Sequence, residues 1–329
     1  MTSLAPTMQS FFTARLGTQQ NASPNTVAAY RDTFRLLLRF VKDTTGVTPN
    51  KLTIDDIDAI TIARFLDHLE SDRGVSIKTR NSRLAAIHSF FHYAAMQHPE
   101  HGALIQRILA IPTKRSLRPL ISYLTTTEID ALLATPDITT VIGRRDRALL
   151  TVAVRTGLRV SELTALRRQD AVFGTGAHIT CTGKGRKQRS TPLAVGSAKV
   201  LHDWINETHG QPHDPIFPGP TNRPLTRDAV AKIVARHGAT AAQSCPTIKH
   251  KKISPHVLRH SCAMQLLDAG VDVAVIALWL GHESIRTTDI YQHADIALKE
   301  RALARVAHTP LTRARFKPSD PLLAFLETL

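Results

Sequence analysis

Residues 254–270 read SPHVLRHSCAMQLLDAG and residues 278–293 read LWLGHESIRTTDIYQH. In the first stretch Ser254 is placed to cap a helix and Pro255 to fill its first turn, where a missing N–H costs nothing. The spacing predicts a helix over 255–268 that carries His256, Arg259 and His260 on one face, so two imidazoles and a guanidinium converge. Histidines at i and i+4 also have metal-ligand spacing. A zinc site is disfavoured, because the general-base glutamate of HExxH is absent, Arg259 repels a cation and no third ligand is evident. In the second stretch a helix over 273–280 ends at Gly281, His282 follows, and Tyr291 lies nine residues further on.

Two earlier stretches share this density of basic groups. TGLRVSEL (156–163) holds Arg159, with Glu162 as its natural helical partner, and GKGRKQRS (183–190) holds Lys184 between two glycines at a hairpin tip. Taken singly, Arg159 reads as a salt-bridge residue, Lys184 as part of a solvated turn and Tyr291 as a packing residue. Taken in order, the four stretches supply two arginines and a lysine to hold a phosphodiester, two histidines to move protons and a tyrosine as nucleophile. No carboxylate cluster accompanies them. A basic phosphate site without Asp/Glu ligands for Mg²⁺ points to metal-independent phosphoryl transfer.

Around these stretches the pattern is mostly helical. Helices are expected from Asn25 onward, with Ser23 as cap and Pro24 in the first turn, then over 60–69 and 76–96, the last with Leu84, Ile87, Phe91 and Ala95 as its apolar stripe. Pro99, Gly102 and Pro112 break that pattern, and TKRSLRP (113–119) reads as a basic linker. Beyond it, helices are expected over 126–134, over 145–166 apart from Gly157, and over 197–206 and 226–237; strands over 178–182 and 189–193 form a hairpin. The expected fold is mainly α with a small antiparallel β-sheet. Its domains are an N-terminal helical domain (1–112), a linker (113–121), a second domain (122–308) and a tail (309–329).

The chain of 329 residues carries 42 Lys+Arg against 27 Asp+Glu, a formal charge of +15, and is 43% hydrophobic. That apolar content fills real cores and excludes a mainly disordered basic tail, while the charge predicts a polyanionic partner, nucleic acid first. Three cysteines, Cys181, Cys245 and Cys262, support neither a disulfide framework nor a CxxC metal site. No apolar run reaches membrane-spanning length, and the first 20 residues lack a leader pattern, so a soluble cytoplasmic protein, associated with the nucleoid, is expected.

On the four motifs, in this order, the chain resembles the tyrosine recombinase or phage integrase family, nearest its Xer-like and transposon-borne bacterial members. SPNTVAAYRDTFRLLLRF (23–40) is similar to the family's N-terminal helical, SAM-like core-binding domain, and the resemblance covers residues 20–300. It implies a site-specific recombinase whose catalytic set is Arg159, Lys184, His256, Arg259, His282 and Tyr291. Tyr291 would form a 3′-phosphotyrosyl link, Arg159 and Arg259 clamp the phosphate, His282 add a hydrogen bond, Lys184 act as acid and His256 as base. It also implies no cofactor and no metal, a double-stranded DNA partner bearing recombination sites, and a homotetramer or a heterotetramer with a related recombinase. The alternatives are a type IB topoisomerase-like relaxing enzyme and a non-catalytic DNA-binding accessory protein. Glu162 and His260 are expected to play supporting roles. Arg80, Arg83, Lys251 and Lys252 are the expected DNA-backbone contacts. Arg155 is an added charge with no evident role, and the apolar tail PSDPLLAFLETL (318–329) is expected to dock on a neighbouring protomer.

Overall fold

The computed structural model describes residues 2–116, 121–183 and 187–281. Lys184, His282, Tyr291 and the tail 309–329 lie outside the described residues. The chain forms two compact units, Met1–Pro119 and Leu120–Leu329.

In the first unit α1 (Leu4–Ser10) runs on as a π-helical turn, Phe11–Gln19. It is followed by α2 (Pro24–Thr45), α3 (Ala59–Ser71), α4 (Ile77–Gln97) and α5 (Gly102–Leu109). Three of these helices start on a side-chain cap: Ser23, Asp58 and Ser76 accept the backbone N–H of Thr26, Thr61 and Thr79. The core is aromatic. Phe11, Phe34, Phe65, Phe90 and Phe91 are fully buried with Leu37 and Leu84, and Phe11, Phe34 and Phe90 meet edge to face. Helix α5 was not expected. Pro99 and Gly102 look like breakers, yet Pro99 opens a short 3₁₀ turn and Gly102 heads α5, where neither interrupts a hydrogen bond.

The second unit holds α6 (Thr126–Ala134), α7 (Val141–Thr156) and α8 (Val160–Ala165). After them come strands β1 (Ala171–Val172), β2 (His178–Thr182) and β3 (Gln188–Pro192), then α9 (Val195–Thr208), α10 (Arg227–Ser244), α11 (Pro255–Asp268) and α12 (Val273–Leu280). The strands pair antiparallel in the order β1-β2-β3, with Cys181 opposite Arg189 and Ile179 opposite Thr191. Side chains alternate across a strand, so Ile179, Cys181, Arg189 and Thr191 face inward. Leu149, Leu150, Val152, Val154, Ile179, Leu201, Val230, Val234 and Leu258 form the fully buried core, and Ala263, Met264, Ile276 and Leu280 a second cluster between α11 and α12. The helical stretch expected over 145–166 apart from Gly157 is two helices that part at that glycine. Gly157 takes a left-handed φ of 63° and ends α7, and Arg159, extended, starts α8.

Candidate active site

Arg159 and Arg259 are brought together from 100 positions apart in sequence by two helix ends. Helix α7 stops at Gly157 and α12 stops at Gly281, both left-handed glycines whose preceding carbonyls lack helical partners. Arg259, on α11 and only 5% exposed, bridges the two ends: its Nη1 donates to Gly157 O at 2.6 Å and its Nη2 to Leu280 O at 2.7 Å. Arg159 Nη2 donates to the next carbonyl, Gly281 O, at 2.9 Å. A helix C-terminus carries partial negative charge, so two such ends hold guanidinium groups charged and oriented.

Glu162 completes the arrangement. Its carboxylate, with the side chain 3% exposed, reaches back to the Arg159 backbone N–H at 2.7 Å as an N3 glutamate does, and accepts Arg159 Nη1 at 2.9 Å. Arg189 from β3 closes on the same carboxylate with two bonds, 3.0 and 2.7 Å, and its Nε donates to Trp279 O at 3.2 Å. Burial pushes the Glu162 carboxyl up, but the Arg189 hydrogen bond and charge and the Arg159 N–H outweigh it and leave the pKa below the usual carboxylate range. The three guanidiniums and one carboxylate named here sum to two positive charges, suited to a phosphodiester that gains negative charge as it is attacked.

The helix expected over 255–268 forms with those bounds, capped by Ser254, whose Oγ accepts the Val257 N–H at 3.4 Å. Its histidines divide. His256 is exposed in the first turn, whereas His260 is half-buried, and burial first, then His256 and Arg259, push its pKa down to about 4. His260 is therefore a neutral imidazole near neutral pH. Cys181 and Cys262, both buried, have thiol pKa values pushed up by burial to about 11 and about 12, so neither is a ready thiolate. Among the described residues no three His, Cys, Asp or Glu side chains gather as a metal-binding group. Arg155, the unexplained charge, donates to Gln265 Oε1 at 3.2 Å and lies 3.9 Å from Asp130.

The expected DNA contacts separate by environment. Arg80 does not fit that role: its side chain is 6% exposed, donates to Pro112 O and Asn81 Oδ1 at 3.1 Å, and lies 3.4 Å from Glu70. Lys251 is similarly committed, to Glu128 Oε2 at 2.6 Å and Tyr123 O at 2.8 Å, which fastens the loop before α11 to α6. Arg83 is different. Its Nη1 is buried without a hydrogen-bond partner among the described residues, and burial, then Arg73, lower its pKa. It lines a hollow of about 540 Å³ with Asn25, Thr26, Tyr30, Asp32, Thr79 and Ser82, between the N-terminal halves of α2 and α4. Lys252 is exposed. Arg189 is the residue that sequence reading missed. It stands inside a quoted motif, but its partners lie 27 and 90 residues away, and the inward side of an alternating strand was the one available signal.

A family model described as the phage integrase family matches residues 122–297, and one described as the phage integrase N-terminal SAM-like domain matches residues 10–98. The putative integrase/recombinase y4rC of Sinorhizobium fredii is 50% identical over 327 residues, 99% of this chain and 98% of that protein. The tyrosine recombinase XerC of Pelobacter propionicus is 31% identical over 291 residues, 87% of this chain and 90% of that protein. Among solved structures, the XerH site-specific recombinase in its post-cleavage complex with palindromic difH substrate matches with a TM-score of 0.71 at 24% identity, covering 87% of this chain and 81% of that one. At that identity the likeness speaks for the fold.

Proposed function

The chain belongs to the phage integrase family and is a tyrosine recombinase, an enzyme that cuts and rejoins DNA at specific sites, and from that premise we propose how its residues divide the work. The observation that carries the reading is the meeting of Arg159 and Arg259 on consecutive carbonyls, Gly281 O and Leu280 O, immediately before His282 in sequence. A guanidinium has five N–H groups, so these carbonyl bonds orient each fork without exhausting it.

In the proposed path the Tyr291 oxygen attacks the scissile phosphorus and gives its proton to His256. The P–O5′ bond breaks as the P–O(Tyr) bond forms, and Lys184 protonates the leaving 5′-oxygen. Arg159, Arg259 and His282 hold the non-bridging oxygens as negative charge builds on them. A 5′-hydroxyl from a partner strand then attacks the phosphotyrosine and releases Tyr291. One phosphoester replaces another at each step, so the path calls on neither a nucleotide nor a metal. Arg83 and Lys252 are proposed to contact the duplex backbone, and exchange between two sites is proposed to occur in a tetramer, with residues 309–329 as the link between protomers.

A site selected by the protein from a random duplex library, placed on two DNA molecules, tests this. With EDTA and no nucleotide, strands are expected to exchange between the two molecules. Relaxation of supercoiled plasmid lacking the site, without exchange, would instead identify a topoisomerase.

A further inference from the structure

We propose that Arg189 is the positioning residue of the phosphate clamp, holding Arg159 at its working angle through Glu162 and through the last turn of α12. The inference rests on the reading of Arg159 as a phosphate clamp. The last three carbonyls of that turn each accept from a different arginine: Trp279 O from Arg189 Nε, Leu280 O from Arg259 Nη2 and Gly281 O from Arg159 Nη2. Arg189 differs from the other two in facing the carboxylate with both ends of its fork, at 3.0 and 2.7 Å, while its side chain is only 13% exposed.

The fit depends on two glycines. A Cβ on Gly281 would stand 2.8 Å from Arg189 Nη1 and 3.0 Å from its Cζ, and one on Gly183 would stand 3.1 Å from the same Nη1. The guanidinium thus lies against the backbone immediately before Lys184 and immediately before His282 in sequence. Gly183 also donates its N–H to Lys187 O at 2.8 Å, which closes the base of the hairpin from which Arg189 projects. Glu162 without Arg189 would retain Arg159 as its ion-pair partner among the described residues, and the carboxylate would draw that guanidinium toward itself. A lysine in place of Arg189 supplies charge but lacks the planar fork that meets a carboxylate and a carbonyl together.

The test is single-turnover cleavage of two suicide duplexes built on the selected site, one with an ordinary scissile phosphate and one with a methylphosphonate there. Methyl in place of a non-bridging oxygen removes the negative charge that the clamp neutralises. Arg159→Ala, Arg189→Met and Arg189→Lys are compared with the unaltered protein. Arg189→Met is expected to cleave the phosphate roughly 100-fold more slowly, with unchanged duplex affinity, and to regain most of that deficit on the methylphosphonate, as Arg159→Ala is also expected to do. Arg189→Lys is expected between Arg189→Met and the unaltered protein, and it carries the test alone if the methionine variant fails to fold. Equal deficits on both duplexes for the Arg189 variants, with Arg159→Ala relieved, overturn the inference and leave the clamp standing. Full activity of Arg189→Lys also overturns it. An unrelieved Arg159→Ala overturns the clamp itself, and the inference with it.

Discussion

Arg80 and Arg83 stand three residues apart on α4, and a residue-level comparison separates them. Arg80 is a buried strut between Glu70 and Pro112 O, while Arg83 opens into a hollow between α2 and α4. Arg80→Ala removes a buried guanidinium with its bonds to Pro112 O and Asn81 Oδ1 and leaves Glu70 with Lys114 as its ion-pair partner among the described residues, so it is expected to lower the thermal midpoint by several degrees, for a loss of about 2 kcal/mol. Arg83→Ala is expected to leave the midpoint nearly unchanged. It should instead weaken binding to all duplexes alike and reduce the slope of log affinity against log salt by about one phosphate contact. Melting curves and a salt titration on both variants check this, and a reduced slope for Arg80→Ala would contradict it. The sequence shows two arginines on one helix. Glu70 and Pro112, which decide their fates, lie 10 and 32 residues from Arg80, beyond the reach of local spacing.

At the scale of elements, what was legible was what is encoded locally. Ser254 with Pro255, Ser23 with Pro24, and Gly281 mark their helix ends through bonds within a few residues, and α2, α11 and α12 start or stop where those signals stand. The hairpin was legible from alternation and its glycines. Not legible was the joining of α7 and α12 end to end by Arg259, because nothing near Gly157 points to Leu280. That joining makes Gly157 a tight position. Its φ of 63° disfavours any side chain, and a Cβ there would lie 2.6 Å from Leu280 Cδ2 and 3.2 Å from the Cys262 Cβ and Sγ. Gly157→Ala is expected to cost about 3 kcal/mol, strain and overpacking together. Gly270→Ala, at a left-handed φ of 83° with open space around the new Cβ, is expected to cost about 1 kcal/mol from conformation alone. Chemical denaturation of the two variants measures the difference, and equal losses would show that Leu280 yields freely.

For the whole molecule, the charge of +15 divides into cations with different work. Arg159, Arg189 and Arg259 are gathered around one carboxylate and four carbonyls, Arg80 and Lys251 hold the fold, and Arg83 and Lys252 are the two proposed to contact the duplex. The two units carry separate cores, aromatic in the first and largely aliphatic in the second, and the motif residues described here sit in the second. The order of motifs along the chain was enough to foresee the family, because each motif is a short local pattern. The carbonyl framework that aims the arginines was not foreseeable, because it is built from backbone atoms that every sequence has. Covalent capture on a nicked duplex carrying the selected site, in EDTA, tests the central claim most directly. The unaltered protein is expected to yield a denaturation-resistant protein–DNA adduct through a 3′-phosphate, and Tyr291→Phe to bind the same duplex with similar affinity and yield none. An adduct that persists in Tyr291→Phe, or no adduct with the unaltered protein on a site that it binds, would contradict the account.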